Sequence, residues 1–226
     1  MNQDVGYDEI KPTKAPWHLR GDAYVAILKM PEALLEDSCF VPEGLKDRRI
    51  KGNSTLMVVD YQESPVGPYR ELLFMPGKYR AGSQTFTTIS RIFVSTPESV
   101  VNGFANWRIP KTLADFSQRT LAQGKEQVSV SLGGRIFASL EFETSRLGIP
   151  FTDGFVPSRF RTMGQFDQGR TYLYAPVTRA SLRPSRMTCH FVDPGLFPDV
   201  SRGKVLRCLC LKHFRMDIPP ARLFEG

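Results

Sequence analysis

The sequence predicts a mainly β (α+β) fold, built as a barrel or a strongly curved sheet with a few short helices. Runs of β-branched, aromatic and apolar residues recur along the chain, and Gly, Pro and charge clusters bound them as they usually bound strands. Only the segment between Ser95 and Pro110 has the capping residues and the apolar spacing of a clear helix. Many strands with few helices are typical of barrels and curved sheets.

Four strands are predicted before the helix, at residues 23–30, 55–61, 71–75 and 85–95. The helix begins at Ser95-Thr96-Pro97-Glu98, which supplies an N-cap, an early proline and an acid in the first turn. Its predicted apolar face consists of Val100, Val101, Phe104 and Trp107. Pro110 should end the helix, because proline cannot continue the backbone hydrogen bonds, and Lys111 then lies at its exit.

The clearest hairpin is predicted at residues 127–143. Its apolar residues alternate along both arms: Val128, Val130 and Leu132, then Ile136, Ala138, Leu140 and Phe142. A two-residue Gly133-Gly134 loop would set the apolar faces of the two arms on opposite sides of the sheet. We therefore expect a three-residue loop that includes Arg135, with a glycine bulge. This loop pairs Leu132 with Ile136 and Val130 with Ala138.

The rest of the chain is predicted as an irregular Pro- and Gly-rich stretch at residues 145–168, followed by strands at 171–181, 187–192 and 205–214. Cys208 and Cys210 alternate with leucines, which favours small strand or core side chains over redox partners. At 226 residues and 41% hydrophobic composition, the chain can bury a sizeable core. We expect a single domain over residues 1–226.

No targeting or membrane-spanning segment is predicted. Residues 1–14 are polar and carry acids, with no apolar region behind a basic start, and no apolar run approaches the length of a transmembrane helix. Four cysteines at irregular spacing do not form the disulfide framework of a small secreted protein. We expect a soluble cytoplasmic protein without a membrane partner.

The excess positive charge lies in the last third of the chain. Residues 1–156 hold 18 basic and 18 acidic side chains, whereas residues 157–226 hold 12 basic and 5 acidic ones. Because these arginines are scattered rather than gathered in a basic face with stacking aromatics, no nucleic-acid partner is predicted. A solvated surface or the interface of a homo-oligomer accounts for them, and their potential could also attract an anionic substrate.

A metal site is not predicted. Zinc sites use about four ligands at recognisable spacing. The histidines His18, His190 and His213 stand alone, with no His-x-x-x-His or Cys-x-x-Cys pattern. The sequence therefore gives no sign of a metal.

Lys111 is the first candidate for chemistry, because it follows Pro110 among apolar and small residues. An unperturbed lysine, with a pKa of about 10.4, is a free amine in only roughly one molecule in a few thousand at pH 7. Burial can lower the pKa of a lysine by several units, and catalysis through an imine then becomes possible. The structural alternative is a lysine whose stem packs on apolar neighbours while its ammonium stays in water.

Glu71 is the second candidate, because it stands between a Pro- and Gly-rich turn and an apolar strand. Its structural alternative is an ion pair with a neighbouring arginine. The two segments together resemble the acetoacetate decarboxylase superfamily. Pro110-Lys111-Thr112-Leu113 is similar to the family's Pro-Lys-Lys-Leu segment, and Tyr69-Arg70-Glu71 to its Tyr-x-Glu segment. The stretch from Pro16 to Tyr24 is similar to the N-terminal part of the family's smaller members, and the resemblance ends at about Ala114.

The resemblance implies a cone-shaped antiparallel β-barrel whose lumen supplies the apolar pocket around the lysine. It implies that Lys111 forms a Schiff base and that Glu71 is the active-site glutamate, with Arg20 and Tyr69 as candidate substrate contacts. Thr112 departs from the family, because a second lysine that lowers the pKa of the first by its charge is expected there. Desolvation is then the expected cause of a lowered pKa at Lys111. A further family glutamate falls near Leu56 on an ungapped count, so the carboxylate pair is incomplete.

The function implied is a Schiff-base enzyme that acts on a keto acid or a related carbonyl compound and needs no cofactor. The protonated imine would serve as the electron sink for decarboxylation or for other chemistry at a neighbouring C–C bond. One alternative is an aldolase-dehydratase that uses the same lysine imine. The other is a non-catalytic barrel that binds a small apolar ligand, with Lys111 as a wall residue.

Overall fold

The computed structural model describes residues 9–37 and 39–225. Within these residues the strands of the first half are β1 (Trp17–Lys29), β2 (Arg49–Ile50), β3 (Ser54–Glu63), β4 (Tyr69–Met75), β5 (Lys78–Ala81), β6 (Gln84–Thr87), β7 (Arg91–Val94), β8 (Thr112–Leu113) and β9 (Asp115–Thr120). The strands of the second half are β10 (Glu126–Leu132), β11 (Arg135–Thr144), β12 (Ile149–Thr152), β13 (Met163–Asp167), β14 (Arg170–Tyr174), β15 (Val177–Val192), β16 (Lys204–Ile218) and β17 (Arg222–Phe224). The α-helices are α1 (Glu32–Asp37), α2 (Pro97–Trp107) and α3 (Ser158–Arg161), and 3-10 turns occupy Glu43–Arg48, Ala122–Gly124 and Val200–Arg202.

The larger sheet curls until its two edges lie close together. Its strand order is β8-β7-β4-β3-β1-β16-β15-β11-β10-β9, and β12 pairs with β15 beside this path. The edge strands β8 and β9 are consecutive in the chain, with Ala114 between them. The Ala114 N–H donates to the carbonyl of Val94 at 2.9 Å. The described strands of this sheet thus form a nearly closed barrel, in which the β7–β8 pair is parallel.

The two faces of β3 and β4 belong to different apolar cores, because successive strand residues point to opposite sides. Leu56 and Leu72 belong to the core inside the barrel. There Tyr24 of β1 stacks on Phe142 of β11 with ring centroids 4.0 Å apart, although two strands separate β1 from β11 in the sheet. Leu73 belongs to a second core on the outer face of the sheet.

The outer core is covered by helix α2 and by a second sheet. This sheet has six strands in the order β17-β14-β13-β6-β5-β2. Trp107 of α2, Tyr174 of β14 and Met163 of β13 all pack into the outer core. The other face of the second sheet carries a third, smaller core that includes Tyr79, Phe86 and Leu173.

The predicted fold class is confirmed: the described chain is mainly β, with a barrel-shaped sheet and a few short helices. The predicted helix is α2, but it ends at Trp107, three residues before Pro110. Its buried residues are Ser99, Asn102, Gly103 and Trp107, so the predicted apolar face is correct only at Trp107, and Phe104 is 43% exposed. Among the described helices, none is long and apolar enough to cross a membrane. All four cysteines are free thiols, and Cys208 and Cys210 are buried in the inner core, as expected of core side chains.

The predicted loop of the 127–143 hairpin is wrong. Leu132 pairs with Arg135 across Gly133 and Gly134, so the loop has two residues. Both glycines adopt positive φ, 58° and 81°, which suits a tight two-residue turn. The predicted pairing of Val130 with Ala138 is confirmed. The register shifts between Val130 and Ser131, on the strand itself, and not in the loop.

Other strand boundaries also differ from the prediction. The strand expected at 85–95 is two strands in different sheets, β6 and β7, since the chain crosses between the sheets at residues 88–90. The strand expected at 171–181 breaks before Val177 into β14 and β15, and β15 runs on through the strand expected at 187–192. The stretch at 145–168, expected to be irregular, contains β12, α3 and all of β13.

Candidate active site

Lys111 is held between the end of helix α2 and the start of β8. Arg108 is the C-cap of the helix; it adopts a left-handed conformation with φ 58° and donates its N–H to the carbonyl of Phe104. Pro110 then prevents a further helical turn. Thr112 pairs with Phe93 in the large sheet, so both sides of Lys111 are fixed by regular structure.

The amine of Lys111 is buried and has two polar partners. Its Nζ lies 3.1 Å from Glu71 Oε2 and donates to Ser99 Oγ at 2.9 Å. The side chains of Lys111 and Glu71 are only 4% and 5% exposed, which rules out a lysine whose ammonium reaches bulk water. The Nζ also lies 5.0 Å from the centre of the Tyr69 ring, within the range of a cation–π contact.

Glu71 reaches this position because successive side chains of β4 point to opposite faces of the sheet. Leu72 faces the inside of the barrel, so Glu71 faces the outer core together with Tyr69. Its second oxygen, Oε1, accepts a long hydrogen bond of 3.5 Å from the hydroxyl of Tyr61. Burial raises the pKa of both Tyr61 and Tyr69, so the two phenols remain neutral near pH 7. The arginine next in sequence, Arg70, forms its ion pair with Asp60 instead of Glu71.

Two opposing effects set the pKa of Lys111. Burial, the largest single effect, lowers the pKa because the ammonium loses its hydration, whereas the Glu71 carboxylate and Tyr69 raise it. Their sum is a pKa above the ordinary lysine value. The expectation that desolvation leaves Lys111 with a lowered pKa is therefore wrong for this arrangement, because Glu71 lies so close.

The ion pair has a chemical consequence. Transfer of one proton from Lys111 to Glu71 would produce a neutral amine beside a neutral carboxylic acid, with no change in net charge. Burial disfavours charged groups relative to neutral ones, so an apolar site lowers the cost of the neutral pair. The arrangement can thus supply a free amine and a nearby acid.

Lys111 and Glu71 line a small cavity of about 70 Å³ whose walls are predominantly apolar. This volume is several times the roughly 10–15 Å³ that one buried water requires, so the cavity has room for a small molecule. Its walls are formed by Trp17, Met57, Tyr61, Tyr69, Glu71, Leu73, Ile89, Ile92, Trp107, Ile109, Lys111, Met163, Tyr174, Pro176, Met216 and Ile218.

The expectation that the barrel lumen supplies this pocket is wrong. The residues that line the cavity belong to the outer core, and the inside of the barrel is filled by the aromatic and aliphatic side chains of the inner core. The reason is strand alternation, since Glu71 has the opposite orientation to Leu72 and Phe74. The pocket is therefore enclosed between the large sheet, α2 and the second sheet.

The structure brings Lys111, Glu71 and Tyr69 together, but not Arg20. The Arg20 side chain is 53% exposed and pairs with Glu63 at 3.3 Å. Trp17 and Leu19 point into the outer core, so the alternation of β1 turns Arg20 outward. We therefore withdraw Arg20 as a substrate contact in this cavity.

The other positions singled out by the resemblance also lie off the cavity. Thr112 is absent from its walls, and Leu56 belongs to the inner core. On the same strand as Leu56, the residues that line the cavity are Met57 and Tyr61. Within the part of the chain that the structure describes, no three His, Cys, Asp or Glu side chains come together to hold a metal.

Sequence reasoning missed two residues of helix α2 that position the lysine. Ser99 is fully buried and accepts a hydrogen bond from the amine. Gly103, one turn further, packs directly on the Lys111 stem, and a Cβ built there would lie 2.8 Å from Lys111 Cε. The signal in the sequence was the i, i+4 spacing of two small residues on one face of a helix that ends before the lysine.

Gly103→Ala should misplace Lys111 without weakening the fold. The added methyl would lie 2.8 Å from Cε and 2.9 Å from Cδ of Lys111, so the lysine side chain must shift from its position beside Glu71 and Ser99. A misplacement of about 1 Å can reduce rate by roughly 100-fold, so we expect imine formation at Lys111 to fall by that order. The helix itself should gain up to about 1 kcal/mol, because alanine has the higher helix propensity.

Gly52→Ala is the matched control, because a Cβ there meets no atom closer than 4.0 Å. Both variants are compared with the parent protein by melting temperature and by the rate of borohydride-trapped imine formation. Unchanged trapping in Gly103→Ala would mean that the lysine stem adapts and that Gly103 does not position it.

Comparison with known proteins identifies a family to which the chain belongs and solved structures that share its fold. A family model described as acetoacetate decarboxylase matches residues 24–155, more than half of the chain. An acetoacetate decarboxylase-like enzyme from Sphingomonas wittichii RW1 has a similar structure, with a TM-score of 0.68 at 14% identity over 94% of each chain. No curated protein matches the chain in sequence.

Two further solved structures share the fold. Acetoacetate decarboxylase from Legionella pneumophila gives a TM-score of 0.61 at 12% identity, over 93% of this chain and 88% of that one. The enduracididine biosynthesis enzyme MppR, complexed with pyruvate, gives a TM-score of 0.62 at 14% identity, over 96% of this chain and 93% of that one. At such low identities these structures support the fold alone.

Proposed function

Because the chain belongs to the acetoacetate decarboxylase family, we propose that it is a Schiff-base-forming enzyme that acts on a keto acid or a related carbonyl compound. The observation that carries the proposal is the buried pair formed by Lys111 and Glu71, with 3.1 Å between Nζ and Oε2 at the wall of an apolar cavity. Lys111 is the proposed nucleophile, Glu71 the proposed acid and base, and Tyr69 a proposed substrate contact. MppR, which shares the fold, is known in complex with pyruvate.

The proposed reaction starts with a proton transfer from the Lys111 ammonium to Glu71. The free amine attacks the carbonyl carbon, and one proton moves from the nitrogen to the oxygen to give a neutral carbinolamine while Glu71 stays protonated. Glu71, as a carboxylic acid, then protonates the departing hydroxyl, which leaves as water. The product is a protonated imine beside the Glu71 carboxylate, so the buried pair keeps its charge balance.

The protonated imine serves as the electron sink for a neighbouring C–C bond. Loss of CO₂ or of an aldehyde places the electron pair of the broken bond on the α-carbon as an enamine. Glu71 is placed to handle the protons of this step, since it is the one carboxylate among the described residues that line the cavity. Hydrolysis of the resulting imine releases the product and restores the amine. No resident cofactor is required by this sequence.

Trapping with borohydride tests the proposal. The protein is incubated with a panel of keto acids, ketones and aldehydes, reduced, and examined by intact mass and peptide mapping. One substrate-derived mass located at Lys111 is the expected result. Labels spread over several lysines, or no label with any compound, would leave the alternative of a barrel that binds a small apolar ligand. For compounds that label Lys111, released CO₂ identifies a decarboxylase and a condensation product identifies an aldolase-dehydratase.

We further propose that the protein assembles as a homo-oligomer through the segment that follows β11. Apolar side chains are unusually exposed there: Leu147 82%, Ile149 65%, Phe155 92% and Phe160 56%. Sedimentation should give at least twice the mass of one chain, and Phe155→Ser should shift it toward the monomer. Ile136→Ser, at a half-exposed residue of the β10–β11 hairpin, is the control that should leave the mass unchanged. A parent protein that sediments as a monomer would contradict the proposal.

A further inference from the structure

The cavity has an unusual charge balance for an enzyme of anionic substrates. Among its wall residues, all of which lie in the described part of the chain, Lys111 is the one cation and Glu71 the one anion. The two lie 3.1 Å apart and neutralise each other. The residues outside the described part, 1–8, 38 and 226, include no lysine, arginine or histidine.

Basic residues beside the cavity have other partners. Arg108, next to the wall residue Ile109, pairs with Asp167 at 3.7 Å. Arg20 is turned outward and pairs with Glu63. Arg161 approaches the wall at Pro176, but its guanidinium donates to the backbone carbonyls of residues 156, 175 and 176. A substrate carboxylate would therefore find no second cation in the cavity.

The charge count changes with the substrate. When a neutral ketone or aldehyde forms the protonated imine, one cation faces the one Glu71 carboxylate. When a keto acid forms it, its own carboxylate is a second anion against the same single cation. Burying a charge without a partner is strongly unfavourable.

The hydroxyl groups of the cavity do not replace a cation. Tyr61 already donates to Glu71. Tyr174 is buried, lines the cavity, and its hydroxyl has no hydrogen-bond partner among the described residues. Tyr69 is the third phenol of the wall. A neutral phenol can donate a hydrogen bond to a carboxylate oxygen but does not balance its charge, so Tyr69 and Tyr174 suit a neutral carbonyl or hydroxyl oxygen better.

We propose that the cavity selects small neutral carbonyl compounds over keto acids of the same size. This inference rests on the proposed function and narrows its substrate class. It favours aldol-type bond chemistry over loss of CO₂. In that reaction the Glu71 carboxylate takes the proton of a β-hydroxyl, the Cα–Cβ bond breaks to release an aldehyde, and its electron pair forms the enamine. Glu71 then returns the proton to the α-carbon.

The test compares two probes of the same shape, 2-oxobutanamide and 2-oxobutanoate. Each is incubated with the protein and borohydride, and the rate of labelling at Lys111 is divided by the rate with n-butylamine, which removes differences in intrinsic reactivity. The amide should label Lys111 at least ~100-fold faster than the acid, as expected when a buried charge lacks a partner. Equal or faster labelling by the acid would overturn the inference and leave the imine function intact. Labelling by neither probe, nor by butanone, would overturn the imine function itself.

A second variant adds the missing cation. Met57 lines the cavity from β3 and has no place in the proposed chemistry. Met57→Arg should shift the ratio of labelling toward the acid by at least ~10-fold, since a guanidinium binds a carboxylate through paired hydrogen bonds. Met57→Gln, polar but neutral, is the matched control and should leave the ratio near that of the parent. An unchanged ratio in a folded Met57→Arg protein would contradict the inference, and the parent comparison decides it if that variant fails to fold.

Discussion

Lys111→Arg should abolish imine formation and reduce turnover by roughly 10⁴-fold or more, as removal of a covalent nucleophile does in other enzymes. Arginine keeps the positive charge beside Glu71, so the buried pair and the fold should survive. A guanidinium stays protonated and cannot attack a carbonyl to form a Schiff base. The measurement combines turnover, intact mass after borohydride reduction, and a melting curve on the same preparation.

Lys125→Arg is the matched control, because Lys125 also pairs with a glutamate, Glu141, at 3.0 Å, but on the surface. Its turnover and labelling should equal those of the parent. Labelling that persists in Lys111→Arg would assign the imine to another lysine. Loss of labelling in both variants would indicate a general effect of the substitution instead of the loss of one nucleophile.

Glu71→Gln should slow turnover by roughly 10²–10⁴-fold while imine trapping at Lys111 persists, because glutamine has nearly the same shape but cannot carry a proton. The effect on the lysine has a definite sign. The Glu71 carboxylate raises the pKa of Lys111, and burial lowers it. Without the carboxylate, burial dominates, so the pKa should fall and the free amine should be present at lower pH.

Two measurements separate these effects. In Glu71→Gln, the pH at which the trapping rate rises should be lower than in the parent protein. Exchange of the α-hydrogens of butanone with D₂O, which requires the enamine and therefore a base, should slow in the same variant. Glu141→Gln, at the partner of Lys125, is the control for both measurements. Near-normal exchange in a folded Glu71→Gln protein would reduce Glu71 to an ion-pair partner, and loss of both signals with a lowered melting temperature would give it a role in stability.

Local sequence signals were sufficient for the part of the site that depends on neighbouring residues. Pro110 indicated a helix end close before Lys111, and α2 does end there, at Trp107, which leaves Lys111 at the wall of the pocket. Tyr69 and Glu71 lie on the same face of β4, as their Tyr-x-Glu spacing predicts, because residues two apart in a strand point to the same side of the sheet. The barrel-like sheet followed from the number of strand segments and the scarcity of helices.

The remaining features depend on contacts between distant segments. Which face of β4 lies inside the barrel depends on how the whole sheet curls, and no local pattern near Glu71 contains that information. The raised pKa of Lys111 follows from a carboxylate that is 40 residues away in the sequence. Arg20 was misplaced for the same reason, since its strand could face either way until its partners were known.

The central claim is that Lys111 forms an imine with a carbonyl substrate, and exchange of the carbonyl oxygen tests it most directly. Each cycle of imine formation and hydrolysis replaces the oxygen of the carbonyl group with one from water, whether or not a C–C bond is broken. Butanone and 2-oxobutanoate labelled with ¹⁸O are incubated with the parent protein and with Lys111→Arg, and the loss of label is followed by mass spectrometry. We predict that the parent accelerates the loss for at least one of the two compounds and that Lys111→Arg returns it to the rate in buffer. No acceleration by the parent, or the same acceleration by Lys111→Arg, would contradict the claim.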